Sequence, residues 1–307
     1  MPSPLTHTDY ESLAQSYLTP ELLAAAGWYR VDGLEGAATV GKRHWEADYA
    51  GVVIPYRYPG ETCVRGSRLR RDVPDRIWKD GKMKDEAKYL SAPGAKNRFY
   101  FPPATTVAQL DDTRLPVCIV EGEKKCLALS RYFGESRQRC LPIGIPGVWA
   151  WRGKIGRQPG PEPGEWIAEK GPIADFDLVN WQGRRVCILF DANVRTNADV
   201  RHARLALTEE LVTRGAVVLW AEIPDLPGVN GIDDLLGLQG PEAARRVFQA
   251  SQVAPTPRKQ AEADQAVREA QARAEAAERT ELAAFWRQLK NRCSAPAAPQ
   301  WKRRRVA

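Results

Sequence analysis

Three continuous apolar runs dominate the middle of the chain. The runs PVCIV, RVCILF and AVVLW show no alternation of polar and apolar residues, which is typical of strands that are covered on both faces. Before the last run, apolar residues recur at helical spacing, and Gly215 follows them. Strands are therefore predicted at 117–120, 140–143, 185–190 and 216–221, with helices at 124–132 and 199–214. Because strands and helices alternate, this pattern predicts an α/β fold with a parallel sheet and flanking helices.

The residues before this pattern predict a different arrangement. Two short helical patterns occupy 10–18 and 20–26, and an apolar strand is expected at 52–54. Pro59-Gly60 predicts a hairpin turn, with the return strand at 62–64. The N-terminal part therefore looks like a small α+β segment.

Composition divides the chain into three parts. We assign 1–110 to the α+β subdomain, 111–253 to the α/β domain and 254–307 to an Ala/Glu/Arg-rich helix that runs to Asn291 and ends in a basic tail. A Gly/Pro-rich insert at 153–171 interrupts the α/β pattern, and we expect an exposed loop there.

Acidic residues follow several of the predicted strands. Glu121 ends the first strand of the α/β part, Asp191 and Asn193 follow the next apolar strand, and Asp233 and Asp234 follow a later loop. The carboxyl ends of parallel strands form the ligand crevice of such sheets. Converging carboxylates there indicate Mg²⁺ (or Mn²⁺), which prefers oxygen ligands. Two alternatives stay open: Glu121 caps the next helix, and Asp233 caps a short helix.

The segment 57–98 carries an excess of positive charge. It holds twelve Lys and Arg residues against six acids, in a chain whose formal net charge is +7, and six aromatic residues lie in or next to it. Cations that track phosphates, together with rings on which bases stack, favour binding of a single strand. The alternative is a solvated basic surface. The residues expected to contact nucleic acid are Arg57, Arg65, Arg68, Lys88, Lys96 and Arg98.

The sequence excludes several classes of protein. It contains no apolar stretch of the roughly 18 residues that a membrane helix needs, so we expect a soluble, cytoplasmic protein without a membrane partner. It has no P-loop motif, so any helicase would be a separate protein.

In order and spacing, these motifs resemble a known family. EGEKK, GIPGVWAW and FDANVRTNADV look like the Toprim-like domain of phage and plasmid replication proteins, and the whole of 45–250 is similar to the catalytic core of bacterial-type DNA primase. The resemblance implies a Rossmann-like Toprim fold. It also implies that Glu121 acts as general acid/base or metal organiser and that Asp191 binds Mg²⁺.

Two residues depart from the Toprim pattern. Asn193 stands where the family has a second acid, and Lys125 stands four residues after Glu121, where primases usually have an aspartate. Each change removes negative charge, and a cation next to the ligands repels Mg²⁺ and attracts phosphate. We therefore expect either a single metal, with Lys124 or Lys125 on a phosphate, or nucleic-acid binding without rapid chemistry.

Together these features favour a primase-like enzyme of a mobile genetic element. The predicted reaction is Mg²⁺-dependent primer synthesis on single-stranded DNA from nucleoside triphosphates, next to a separate replicative helicase. The alternatives are a Toprim nuclease and a non-catalytic single-strand-binding accessory protein of replication.

Overall fold

Parallel strands lie at the centre of the structure, as the apolar runs predict. The computed structural model describes residues 3–79, 81–86, 88–162, 164–255, 273 and 275–281. Residues 1–254 form one unit by their contacts and residues 255–307 form another. Within the described residues, no helix is both long enough and apolar enough to cross a membrane.

The first unit contains both helices and strands. The helices are α1 (His7–Ala14), α2 (Pro20–Ala26), α3 (Gly33–Thr39), α4 (Val107–Asp111), α5 (Glu123–Glu135), α6 (Ala198–Thr213) and α7 (Ile232–Gln249), with 3-10 turns at Ala174–Leu178 and Ala192–Arg195. The strands are β1 (Tyr29–Val31), β2 (Gly51–Tyr56), β3 (Gly66–Arg71), β4 (Asp75–Lys79), β5 (Lys82–Glu86), β6 (Tyr89–Leu90), β7 (Val117–Glu121), β8 (Leu141–Ile145), β9 (Arg152–Pro159), β10 (Trp166–Pro172), β11 (Arg185–Leu189), β12 (Val217–Trp220) and β13 (Gln252–Val253).

The larger sheet is mixed, with the strand order β13-β12-β11-β7-β8. Strands β12, β11, β7 and β8 run parallel, and β13 joins the edge antiparallel to β12. The predicted parallel sheet is therefore confirmed for β12, β11, β7 and β8, and β13 is an additional antiparallel strand at its edge. Strand β13 is only two residues long, so it has no hydrophobic pattern from which a strand could be predicted.

Helices cover both faces of this sheet. In β7, Cys118 and Val120 pack in the core that also holds α5 and α7, whereas Val117 and Ile119 pack in the core that holds α6. Each strand residue is therefore buried whichever face it points to. This explains why the apolar runs show no alternation.

The smaller antiparallel sheet, of order β1-β2-β3-β6, shares a core with the larger one. Strand β2 is buried along its whole length. Its residues Val52, Ile54 and Tyr56 lie in the same core as α5 and α7. The basic segment is thereby held next to the end of β7.

The structure corrects two local predictions. The stretch 153–171, expected as a loop, forms most of the antiparallel hairpin β9–β10. Its side chains are largely exposed, so backbone pairing holds it without the burial that produces a recognisable pattern. The return strand of the first hairpin is β3, which begins at Gly66 and not at residue 62.

The C-terminal predictions fall mostly on residues that the structure does not describe. Residues 275–281 are helical, in agreement with a helix in this region. The rest of the predicted helix to 291 and the basic tail at 301–305 lie outside the described residues.

Candidate functional site: two charged regions at the strand ends

The turn after β7 places a carboxylate at the edge of the sheet. Glu121 is the last residue of the strand, and α5 begins two residues later at Glu123. Gly122 between them has φ +93°, a backbone conformation that residues other than glycine rarely adopt. Within the described residues, the Glu121 side chain makes no hydrogen bond and no ion pair.

Asp191 lies just after the neighbouring strand β11, which ends at Leu189. Val120 of β7 pairs with Leu189 of β11, so the two strands end at the same edge. Asn230 donates its side-chain N–H to Asp191 Oδ2 at 2.9 Å and accepts the Ala192 N–H through its backbone oxygen. Asp191 is therefore fixed against the loop that leads into α7.

The two acids at the start of α7 have different environments. Asp234 Oδ2 accepts the backbone N–H groups of Asn230 and Gly231, at 3.0 and 3.1 Å, which makes it a helix-capping residue. Asp233 is only 1% exposed, and its Oδ1 has no hydrogen-bond partner in the described structure. We call Glu121, Asp191 and Asp233 the acidic cluster.

Two lysines of α5 neutralise part of the acidic cluster. Lys125 Nζ lies 3.0 Å from Asp191 Oδ2. Lys124 Nζ lies 3.0 Å from Asp233 Oδ2 and 2.9 Å from Ser16 Oγ. The lysines that were expected to bind phosphate thus already form ion pairs inside the protein.

The pKa shifts reflect this balance of burial and charge. Burial raises the pKa of Glu121, and the charge of Asp191 adds to the effect. Burial also raises the pKa of Asp191, although Lys125 acts in the opposite direction. Burial lowers the pKa of Lys125, but the acidic cluster more than reverses this, so the net pKa is raised and the ammonium stays charged.

Glu123 links the acidic cluster to the basic segment, and the sequence analysis did not single it out. Its side chain is 3% exposed and lies 2.9 Å from Arg68 Nη1, while the Tyr56 hydroxyl donates to the same oxygen. Burial raises the pKa of Tyr56 well above its ordinary value, which keeps the phenol a donor. A glutamate in the first turn of α5 was visible in the sequence, but its pairing across 55 residues was not.

Next to Glu123, the basic segment forms a cleft of about 360 Å³. Its walls are β3, the 91–98 loop and part of the 146–150 loop of the α/β part. Of the described residues that line it, four are cations and none is a carboxylate: Arg65, Arg68, Lys96 and Arg98. We call this the cationic cleft. Four of the six predicted nucleic-acid contacts therefore lie together.

The Tyr58 ring next to the cationic cleft holds two of its arginines. Arg65 and Arg98 lie over the Tyr58 ring, at 5.5 and 5.6 Å from its centroid, and Arg98 donates to the Tyr58 hydroxyl. A guanidinium on an aromatic face loses little side-chain freedom when it binds a phosphate. Arg65 also pairs with Glu61, whose side chain is partly exposed.

Three predicted site residues lie elsewhere. Arg57 packs over Gly27, bonds to the Ala26 carbonyl oxygen and lines a separate cavity. Lys88 is exposed and does not line the cationic cleft. Asn193 is exposed in the 3-10 turn after Asp191, and its side chain makes no hydrogen bond with the described residues.

The acidic cluster, as arranged, does not fit a resident Mg²⁺ ion. Lys125 already occupies Asp191 Oδ2. Among the residues that the structure describes, no three His, Cys, Asp or Glu side chains form a group that could hold a metal ion. The carboxylate oxygens are suitable ligands in type. In this structure, however, the positive charge next to Asp191 and Asp233 comes from lysines.

Comparison with known proteins adds one finding. Residues 107–243 are similar to a family described as a domain of unknown function (DUF3854). The matched stretch includes the acidic cluster and both lysines of α5, and it excludes all four cations of the cationic cleft. No curated protein matches the chain.

Proposed function

We propose that this protein binds single-stranded DNA in the cationic cleft, as a primase-related protein in the replication of a mobile genetic element. The observation that carries the proposal is the cleft itself, which gathers four cations from the basic segment without a carboxylate among its described lining residues. The order of the Toprim-like motifs supports the role in replication.

The charge of the cleft suits a polyanion more than a small neutral ligand. Lys96 has no ion pair or hydrogen bond with the described residues, so its ammonium is available to a ligand. The arginines at the cleft present N–H groups that match phosphate oxygens. Since these contacts read the phosphate backbone, we expect binding that depends strongly on salt and only weakly on sequence.

Titration of a labelled single-stranded oligonucleotide tests this proposal. Fluorescence anisotropy of the full chain should show binding that weakens steeply with salt. Replacing both Lys96 and Arg98 with alanine should weaken binding and reduce the slope of log K against log salt by about 0.7 for each phosphate that is no longer neutralised. The matched control is Arg114→Ala, which removes an exposed arginine outside the cleft. Equal binding by the double variant and the control would contradict the proposal.

Primer synthesis is the second candidate function. It is favoured by the position of Glu121, whose carboxylate has no partner in the described structure and whose pKa responds to the cleft residue Arg68. In this case the cleft holds the template, and Glu121 is placed next to the reacting phosphate. Because Lys125 neutralises Asp191, we rank this activity below DNA binding.

Incorporation of labelled ribonucleotides on a single-stranded template, with Mg²⁺ or Mn²⁺, tests the second candidate. Products that wild type forms and Glu121→Gln does not form would establish primer synthesis. Shortening of the labelled template would instead indicate the nuclease alternative. DNA binding without either product would leave the accessory role as the function.

A further inference from the structure

The start of α7 is shaped around the Lys125 side chain. Gly231 lies against the stem of this lysine, and a Cβ at that position would overlap Lys125 Cε. The same Cβ would come within 2.7 Å of Asp233 Oδ1. A Cβ at this position would therefore require the lysine or the aspartate side chain to shift.

Asp233 leaves one carboxylate oxygen of the acidic cluster available to a cation. Its side chain is almost fully buried, yet Oδ1 has no hydrogen-bond partner in the described structure. Leaving a buried carboxylate oxygen without a partner is costly. The nearby Glu121 carboxylate also lacks a partner among the described residues.

The lysines of α5 supply the positive charge that such a cluster requires. Lys124 and Lys125 each lie 3.0 Å from a carboxylate oxygen of the cluster. Together the two ammonium groups carry the charge of one divalent ion. Buried carboxylates are tolerated when they are paired in this way.

We propose that Lys125 is a built-in cation that takes the place of a divalent metal ion in the acidic cluster. Removing its ammonium leaves Asp191 Oδ2 with the Asn230 side chain as its remaining partner and makes the cluster a site for Mg²⁺ or Mn²⁺. Such ions commonly bind through one or two carboxylates and complete their shell with water. This inference goes beyond DNA binding, because it concerns only the cation at the strand ends.

Mn²⁺ titration of the full chain, followed by electron paramagnetic resonance, tests the inference. Wild type should bind Mn²⁺ only weakly, and the carboxylates of the acidic cluster should not take part in that binding. Lys125→Met keeps most of the aliphatic stem over Gly231 and removes the charge, so it should bind one Mn²⁺ per chain about tenfold or more tightly than wild type. Lys125→Arg retains the charge and should behave like wild type.

Two further variants locate the gained site. Adding Asp191→Asn to Lys125→Met should abolish the gained Mn²⁺ binding, because Asp191 supplies the carboxylate that has lost its lysine. Lys154→Met, in which an exposed lysine of β9 is replaced, is the matched control and should gain nothing. A folded Lys125→Met variant without Mn²⁺ binding would overturn the inference.

The wild-type protein provides an independent check. If it binds one Mn²⁺ tightly and Asp191→Asn removes that ion, Lys125 does not stand in for a metal and the inference is wrong. Should Lys125→Met fail to fold in metal-free buffer, circular dichroism decides: recovery of the native spectrum with Mn²⁺ supports the inference, and no recovery overturns it. None of these readouts depends on DNA binding.

Discussion

The acidic cluster and the cationic cleft lie next to each other but obtain their counter-charges differently. In the acidic cluster, Asp191 and Asp233 are each paired with a lysine of α5. In the cationic cleft, Lys96 has no partner among the described residues, and none of the described lining residues is a carboxylate. Two of the three carboxylates of the acidic cluster therefore have a lysine partner, whereas Lys96 in the cleft has its charge left for a ligand. This contrast is the reason why we propose the cleft as the site of DNA binding.

The largest effect should come from breaking the ion pair between Lys125 and Asp191 in the acidic cluster. Asp191→Ala leaves Lys125 with a side chain only 17% exposed and without its closest carboxylate. We expect the free energy of unfolding to fall by about 3 kcal/mol, measured by urea denaturation. Asp225→Ala, which removes an exposed acid, should change it by less than about 0.5 kcal/mol. Equal stabilities would mean that the pair is not needed.

Arg68 lines the cationic cleft and pairs with the buried Glu123, so its removal should affect both stability and binding. Arg68→Ala removes the ion-pair partner of the buried Glu123 and one cation of the cleft. We expect a decrease of about 2 kcal/mol in unfolding free energy together with weaker DNA binding. Arg65→Ala, at a more exposed position, should weaken binding with little change in stability. A stable Arg68→Ala variant would argue against the link between the regions.

Lys96 tests the cleft alone. Lys96→Ala should weaken single-strand binding about fivefold, because one phosphate no longer has its cation, and should leave the melting temperature unchanged. Anisotropy and thermal unfolding on the same preparation measure the two effects. A change in stability with unchanged binding would reverse the roles that we assign to this residue.

The smallest effect concerns Glu121, and its size should depend on pH. Its pKa is raised in the folded protein, so the neutral form is favoured. Stability from this group is fully present below the unfolded pKa, about 4.3, and is lost as the pH rises through the folded value. Glu121→Gln avoids this loss and should be more stable than wild type at pH 7 by less than about 1 kcal/mol.

The advantage of Glu121→Gln should disappear on acidification toward pH 4, where wild-type Glu121 is also neutral. Thermal unfolding at several pH values measures it. A variant that is less stable than wild type at pH 7 would show that the carboxylate has a stabilising partner.

The parts of the fold that depend on burial could be predicted from the sequence. The apolar runs identified β7, β11 and β12 because strands covered on both faces lack polar positions. Helix α2 begins at Pro20, where Thr19 and the proline predict a helix start, and Thr19 Oγ1 accepts the Leu22 N–H. The exposed hairpin β9–β10 was missed because its glycines and prolines outweighed a weak pattern.

The acidic residues of the site were visible in the sequence, but their partners were not. The positions of Glu121 and Asp191 follow from where apolar strands end. The pairing of Lys125 with Asp191 and of Arg68 with Glu123 depends on tertiary contacts between distant segments. The charge of Lys125 was also visible in the sequence, and its effect on metal binding stays a prediction. The room that Gly231 leaves for it became visible only in three dimensions.

The most direct test of the account is single-strand binding with and without divalent ions at matched ionic strength. Because the protein supplies its own cations, wild type should bind the labelled strand with the same Kd in excess EDTA and in Mg²⁺. Binding that requires Mg²⁺ and disappears in EDTA would show that a metal, and not the lysines and arginines of the chain, holds the DNA.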